Sequence, residues 1–143
     1  MTPRRMVFDT DVVIRHRLSA VPGFVSAVVL QELAAGARDG AELRRLGAIR
    51  MAAETEGVLL TPDGEDWFQA GKVLNSLLRG LRSVRGPRSH AIDKGEQRRL
   101  VRDVLIARSA RRVGATVVSY NARDFAKIQR FCNVQVMGPE YVL

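Results

Sequence analysis

Short β-branched runs alternate with longer helical segments from one end of this chain to the other, and nothing else in it constrains the fold as strongly. Such alternation argues for an α/β domain with a mostly parallel central sheet. Met6 to Asp9 reads as a first strand, ending in a turn at Thr10 and Asp11, and Val12 to Leu18 opens a helix. Phe24 and Val25 form a brief second strand. Ser26 is placed to cap a helix through Ala35 that Gly36 stops. Glu42 to Glu54 is amphipathic, with Leu43, Leu46, Ile49 and Ala53 at helical spacing, and Val58 to Leu60 is a further strand. Asp63 caps a helix carrying Trp67, Phe68, Val73, Leu74, Leu77 and Leu78. From Arg79 to Asp93 the chain holds Gly80, Gly86 and Pro87, with Arg at 79, 82, 85 and 88, and reads as a basic, mobile loop. Glu96 to Val113 is the strongest helix, closed by Gly114. Thr116 to Ser119 is a buried strand, Asp124 to Phe131 a short helix, and Val134 to Met137 a last strand. No internal repeat or long low-complexity linker interrupts the series.

The 143 residues are enough for one domain, residues 1–143, with a proper core, and too few for two. No stretch approaches the roughly 20 apolar residues that span a bilayer. The apolar run after Arg4 and Arg5 is only Met6, Val7 and Phe8 before Asp9 breaks it, which is no signal peptide. The single Cys132 excludes an internal disulfide and a cysteine metal site and fits a reducing compartment, so a cytoplasmic protein is expected. A net charge of +8 and a pI near 10.9 point to a polyanionic partner. That pointer is discounted by composition: 20 Arg against 3 Lys, with abundant Ala, is what a GC-rich genome produces by itself.

Four acidic residues stand where a core would rather have none. Within Glu96 to Val113, Leu100, Ala107 and Ala110 lie within about 60° of Asp103 on the helical wheel, while Arg98, Arg102, Arg108 and Arg112 take the other side. Asp103 therefore projects from the core-facing stripe, as a ligand or as a core aspartate bonded to backbone or Arg. Glu32 shares its helix face with Val28, Val29, Ala35 and Gly36, again as a ligand or as a half-buried partner of an Arg. Asp9 ends the first strand, where open α/β sheets place their ligand crevice and where aspartates also cap helices. Asp124 follows the strand Thr116 to Ser119, as a ligand or an N-cap, and Asn121 is placed to cap or to hold a metal-bound water. Converging carboxylates without His or Cys suit magnesium or manganese, whose use is to activate water and stabilise in-line displacement at a phosphodiester. Neither His16 nor His90 has a partner suggesting a His-based mechanism. No GxSxG, P-loop or GxGxxG is present, which leaves serine hydrolase, NTPase and dinucleotide enzyme poorly supported.

The segments VFDTDVVI (7–14), SAVVLQELAAG (26–36) and RDVLIARSARRVGATVVSYNARDF (102–125) resemble those of PIN-domain ribonucleases, and most closely VapC toxins of bacterial toxin–antitoxin pairs. The resemblance implies a PIN-like three-layer α/β/α fold and makes Asp9, Glu32, Asp103 and Asp124 the acidic quartet of a metal site. Asp9 and Asp103 are then its firmest ligands. Asn121 matches the polar position before the last acidic residue, and Ser119 a neighbouring hydroxyl position. It further implies Mg2+- or Mn2+-dependent cleavage of RNA, frequent homodimers and a cognate VapB-like antitoxin that blocks the site. Asp11 departs from the family's usual Asn or Ser, adding a fifth carboxylate or capping a helix. The Arg79 to Arg88 stretch is longer and more basic than usual, either a clamp on the RNA backbone or a solvated surface.

Two other readings compete. Val7-Phe8-Asp9-Thr10-Asp11-Val12 has the strand-plus-DxD form of haloacid-dehalogenase-type phosphatases, in which Asp9 is the nucleophile and Asp11 the acid/base. That chemistry needs a late paired acidic motif and a well-placed lysine; the chain has no such motif, and Lys94 and Lys127 are poorly placed. A non-catalytic PIN-like module that binds RNA or protein is the other, and the complete quartet argues against it.

Overall fold

Val7 and Phe8 point to opposite faces of a strand that must be covered on both sides, and the rest of the architecture follows from that. The computed structural model describes residues 5–16, 23–85 and 94–142, except for the side chains of 81–85. In chain order the elements are β1 (Met6–Phe8), α1 (Thr10–His16), β2 (Val25–Ser26), α2 (Ala27–Ala35), α3 (Gly40–Thr55) and β3 (Leu59–Leu60). They continue with α4 (Gly64–Arg85), α5 (Lys94–Arg112), β4 (Thr116–Val118), α6 (Ala122–Gln129), β5 (Gln135–Met137) and a 3-10 turn at Pro139–Tyr141.

All pairings among the described strands are parallel. β1 pairs β4, with Val7 opposite Val117, and β4 pairs β5, with Val117 opposite Val136. β2 pairs β3, and a single parallel bridge from Val7 to Phe24 joins that pair to β1. The order is therefore β3-β2-β1-β4-β5, with β1 central. Alternate residues serve two cores, as the twofold strand repeat requires. Val7 and Val117 join Val28, Val29, Ile106, Phe125 and Ile128 in the larger one. Phe8 and Val118 pack with Val12 of α1 in the smaller. The sheet is thus buried on both faces, the condition parallel sheets require.

The helix ends follow local chemistry. Ser26 Oγ accepts the Val29 N–H at 3.3 Å, and the Gly36 N–H closes α2 on Glu32 O at 3.1 Å. Asp39 caps α3, accepting the Glu42 N–H at 2.8 Å, so that helix starts earlier than the apolar spacing shows. Leu43, expected on its core side, is half exposed, whereas Leu46 and Ala53 are buried. Gly114 stops α5 with φ +67°, a conformation that suits glycine. At Gly23 the chain passes so close to β1 that a Cβ would lie 2.5 Å from Met6 O.

One expectation is overturned. Arg79 to Arg85 is no loop but the last part of the 22-residue α4. Gly80 costs a helix interior about 1 kcal/mol relative to Ala, and the surrounding Leu and Arg, good helix formers, absorb it. The remainder of the expected basic loop, residues 86–93, lies outside the described residues, as does His90. The start of α4 is pinned to the end of α5: Arg112 Nε donates to Asp66 Oδ2 at 3.0 Å and its Nη2 to Thr61 O at 2.8 Å. Asp66 is 1% exposed, and a buried carboxylate is tolerable there because of this partner.

Candidate active site

With β1 central, the chain leaves β1 through α1 toward β2 on one side, while β4 leads through α6 to β5 on the other. The crevice between the carboxyl ends of β1 and β4 is therefore the topological switch point where open parallel sheets bind ligands. Asp9 stands at the end of β1 and Ser119 at the end of β4, both buried. Their side chains meet: Ser119 Oγ donates to Asp9 Oδ2 at 2.8 Å. The other carboxylate oxygen, Oδ1, accepts the Thr10 N–H at 2.8 Å. Ser119 Oγ in turn accepts the Asn121 N–H at 2.9 Å, which locks the loop after β4. Asp9 is thus fixed on both oxygens, with lone pairs to spare.

Asp103 projects from the middle of α5 and Glu32 from α2, both half-buried. Asp124 lies in the first turn of α6 and is exposed, its N–H on Asn121 O at 3.0 Å. The four carboxylates sense one another. Burial, then the charges of Asp9, Asp124 and Glu32, push the Asp103 carboxyl up to about 8 against an opposing pull from Arg102. Burial also raises Asp9, with the Ser119 and Thr10 hydrogen bonds opposing and Asp11 and Asp124 adding to the rise. Glu32 is raised by burial as well, with Arg102 opposing it; Arg102 Nη1 lies 3.8 Å from Glu32 Oε2. Thr10 Oγ1, buried, makes no full hydrogen bond and leans toward Glu32, weakly favouring its charged form.

Carboxylates that raise Asp9, Glu32 and Asp103 above their ordinary values, with one Arg to offset them, would suit a hard divalent cation. Among the described residues no three His, Cys, Asp or Glu side chains are already gathered into a ligand cage. Asp9, Glu32, Asp103 and Asp124 come from four separate parts of the fold and form an acidic ring only in that their charges act on Asp103 and on one another, with no preformed cage among the described residues.

Two positions differ from the simplest sequence expectation. Asn121 precedes α6 at the N-cap position, yet its side chain makes no cap; its Nδ2 donates to Asp11 Oδ2 at 2.8 Å. Asp11 is therefore the partner that orients Asn121. His16, for which the sequence suggested no partner, is hydrogen-bonded through Nε2 to the Tyr120 hydroxyl, and Arg15 lies 4.5 Å over the Tyr120 ring. Neither Tyr120 nor Arg15 carries a sequence signal; only the pairing of α1 with the loop after β4 brings them together. Beside Glu32, a groove of about 570 Å³ runs between α2, α4 and α5, with Val28, Trp67, Val101 and Leu105 on its walls and Arg98 and Arg102 among its lining residues.

The strand order and the crevice define a PIN-like fold. The same architecture is found in solved VapBC and FitAcB structures. A chain of the DNA-bound VapBC complex of Salmonella typhimurium aligns with a TM-score of 0.57 at 20% identity, over 94% of this chain and 98% of that one. A chain of VapBC-1 from nontypeable Haemophilus influenzae gives 0.55 at 19%, over 93% and 96%. FitAcB from Neisseria gonorrhoeae gives 0.52 at 17%, over 96% and 99%. No protein-family model and no curated protein sequence matches the chain. At these identities the likeness is one of fold, and it spans nearly the whole chain. Among the described residues no helix is long and apolar enough to cross a membrane.

Proposed function

We propose that this chain is a divalent-cation-dependent endoribonuclease, the toxin of a VapBC-type pair, acting in the cytoplasm. The observation that supports the proposal is the mutual electrostatic effect of the acidic residues: Asp9 ends β1 beside Ser119 of β4, and burial with the charges of Asp9, Asp124 and Glu32 raises Asp103 to about 8. Asp9 and Asp103 would be the principal ligands of Mg2+ or Mn2+, with Glu32 and Asp124 completing the set. When bound, the ion would supply Lewis-acid stabilisation of charge on a phosphodiester and a more acidic water. The chain's own part is positional. Ser119 and the Thr10 N–H hold the Asp9 carboxylate in one rotamer. Asp11 holds the Asn121 amide at the rim, where it can donate to a substrate oxygen or a water. Arg102 offsets charge at Glu32 and at Asp103. The basic exterior draws the polyanionic substrate toward an acidic centre that would otherwise repel it.

The groove beside Glu32 supports the partner part of the proposal. Apolar walls with Arg98 and Arg102 nearby suit an antitoxin segment with an apolar stripe and acidic flanks, and such a segment would cover the acidic ring. A homodimer belongs to the same reading.

A non-catalytic PIN-like module is the second reading, favoured by the absence of a ready ligand cage among the described residues. The deciding experiment incubates total RNA with purified protein and Mn2+ or Mg2+, against EDTA and the Asp9→Asn, Asp103→Asn double variant. Cleavage that needs the ion and is lost in the variant is the expected result. Folded, metal-supplemented protein that binds RNA without cutting it would establish the second reading instead.

A further inference from the structure

Beside the acidic ring lies a group of side chains that its chemistry does not use. Tyr120 stands between Ser119, which holds Asp9, and Asn121, which is held by Asp11. The residue is 39% exposed. The Tyr120 and His16 rings are nearly parallel, at 6°, with centroids 5.9 Å apart, and the phenol hydroxyl is hydrogen-bonded to His16 Nε2. A hydroxyl and a ring nitrogen both lie in the planes of their own rings. Joined by a hydrogen bond, they keep those planes within a small step of each other. The two rings therefore run on as one flat plate, wider than either ring, and do not lie face to face. The Arg15 guanidinium sits 4.5 Å from the Tyr120 centroid and covers one face of it. Tyr120 and His16 are both exposed, so the plate is open to a ligand.

We infer that the Tyr120–His16 plate, backed by Arg15, is a stacking platform for one unpaired nucleobase of a single-stranded RNA whose backbone enters the acidic crevice. The inference rests on the ribonuclease reading and adds a specificity element to it. Recognition of single-stranded RNA depends on splayed bases stacking on aromatic rings and guanidinium planes, whereas a paired base in a helix offers no free face. The plate meets that need three ways: a broad π surface, a cation against its back that strengthens it, and attachment through consecutive residues to the groups that orient Asp9 and Asn121. Arg15, a fixed positive charge at the rim, is also within reach of the phosphate flanking the stacked base. The platform favours a single-stranded loop or end over duplex RNA.

The test measures binding apart from cleavage. Fluorescence anisotropy of a labelled single-stranded oligoribonucleotide is followed in EDTA with wild-type protein, Tyr120→Ala and Tyr120→Phe. The same strand carrying abasic sites, with the same number of phosphates, serves as the second probe. Loss of one base–aromatic stack predicts about a tenfold weaker binding of intact RNA by Tyr120→Ala. Binding of the abasic strand and its salt dependence stay unchanged, and Tyr120→Phe, which keeps the ring but loses the bond to His16, falls between wild type and Tyr120→Ala on intact RNA. Melting curves establish that each variant is folded. Equal losses on intact and abasic strands, or no loss on either, would overturn the platform. If wild-type protein cleaves and binds RNA while Tyr120→Ala does both equally well, only the platform fails. If wild-type protein neither binds nor cuts RNA, the ribonuclease reading fails with it.

Discussion

Ser119 and Asp9, 110 residues apart in the chain, share a buried hydrogen bond of 2.8 Å that joins the ends of β4 and β1. The bond orients a carboxylate that burial would otherwise leave free to protonate and rotate. It also explains why a hydroxyl is needed at this position although no hydroxyl chemistry is proposed there.

Ser119→Ala is expected to lower RNA cleavage by about tenfold or more, since a misaligned ligand carboxylate costs far more than a lost contact. Stability should fall by about 1–3 kcal/mol, the cost of leaving a buried acceptor short of a donor. Single-turnover kinetics and thermal melting, run on the same preparations, separate the two effects.

The raised Asp103 carboxyl gives the metal-free protein an unusual pH dependence. Its folded pKa lies above its unfolded one, so the native state binds the extra proton between 3.8 and about 8. Stability of the metal-free protein should therefore fall as pH rises through that window and level off above it. Asp103→Asn should remove much of this slope and stabilise the protein at pH 8.5 by about 1–3 kcal/mol, discounted for the partial exposure of the group. Denaturant melts in EDTA at pH 6 and 8.5 check the sign; a wild-type protein more stable at the higher pH would contradict it.

Divalent cations should have the opposite effect. Because the ion needs the deprotonated carboxylates, Mg2+ or Mn2+ should raise the melting temperature more at pH 8.5 than at pH 6. The increment should shrink in Asp9→Asn and vanish in the double variant with Asp103→Asn, whatever RNA is cut.

The Arg112–Asp66 pair makes a prediction about the scaffold. Arg112→Ala leaves a carboxylate that is 1% exposed with only the Asp63 N–H on its Oδ2 and should cost about 1–3 kcal/mol. Asp66→Asn, Arg112→Ala together should cost clearly less than the sum of the two single changes. Cleavage at low temperature should survive each, because neither residue faces the crevice.

Much of this was legible in the sequence, and the misses have physical causes. The alternation of strands and helices, the Ser26 and Gly36 ends of α2, the Asp63 cap and the inward face of Asp103 are local properties, and each stands where periodicity and capping chemistry put it. Arg79 to Arg85 was read as loop because Gly80, Gly86, Pro87 and the spaced arginines look like one in sequence, although α4 carries on to Arg85. Asn121 and Asp11 each looked like a cap or a ligand. Their bond to one another joins residues 110 apart and leaves no local trace. The plate of Tyr120 and His16 was invisible for the same reason: its two halves are on separate elements, and only the parallel pairing of β1 with β4 sets them side by side.

That pairing also has a temporal consequence. The central strand β1 is made long before its neighbour β4, which ends next to Ser119 and comes only at residues 116–118. Until those residues have been synthesised, Asp9 lacks its hydroxyl partner and the crevice lacks a wall. Contacts so distant in sequence also close late in folding. Truncation between α5 and β4 should therefore leave Asp9, Glu32 and Asp103 without Ser119 or Asp124, and the proposed metal site unassembled.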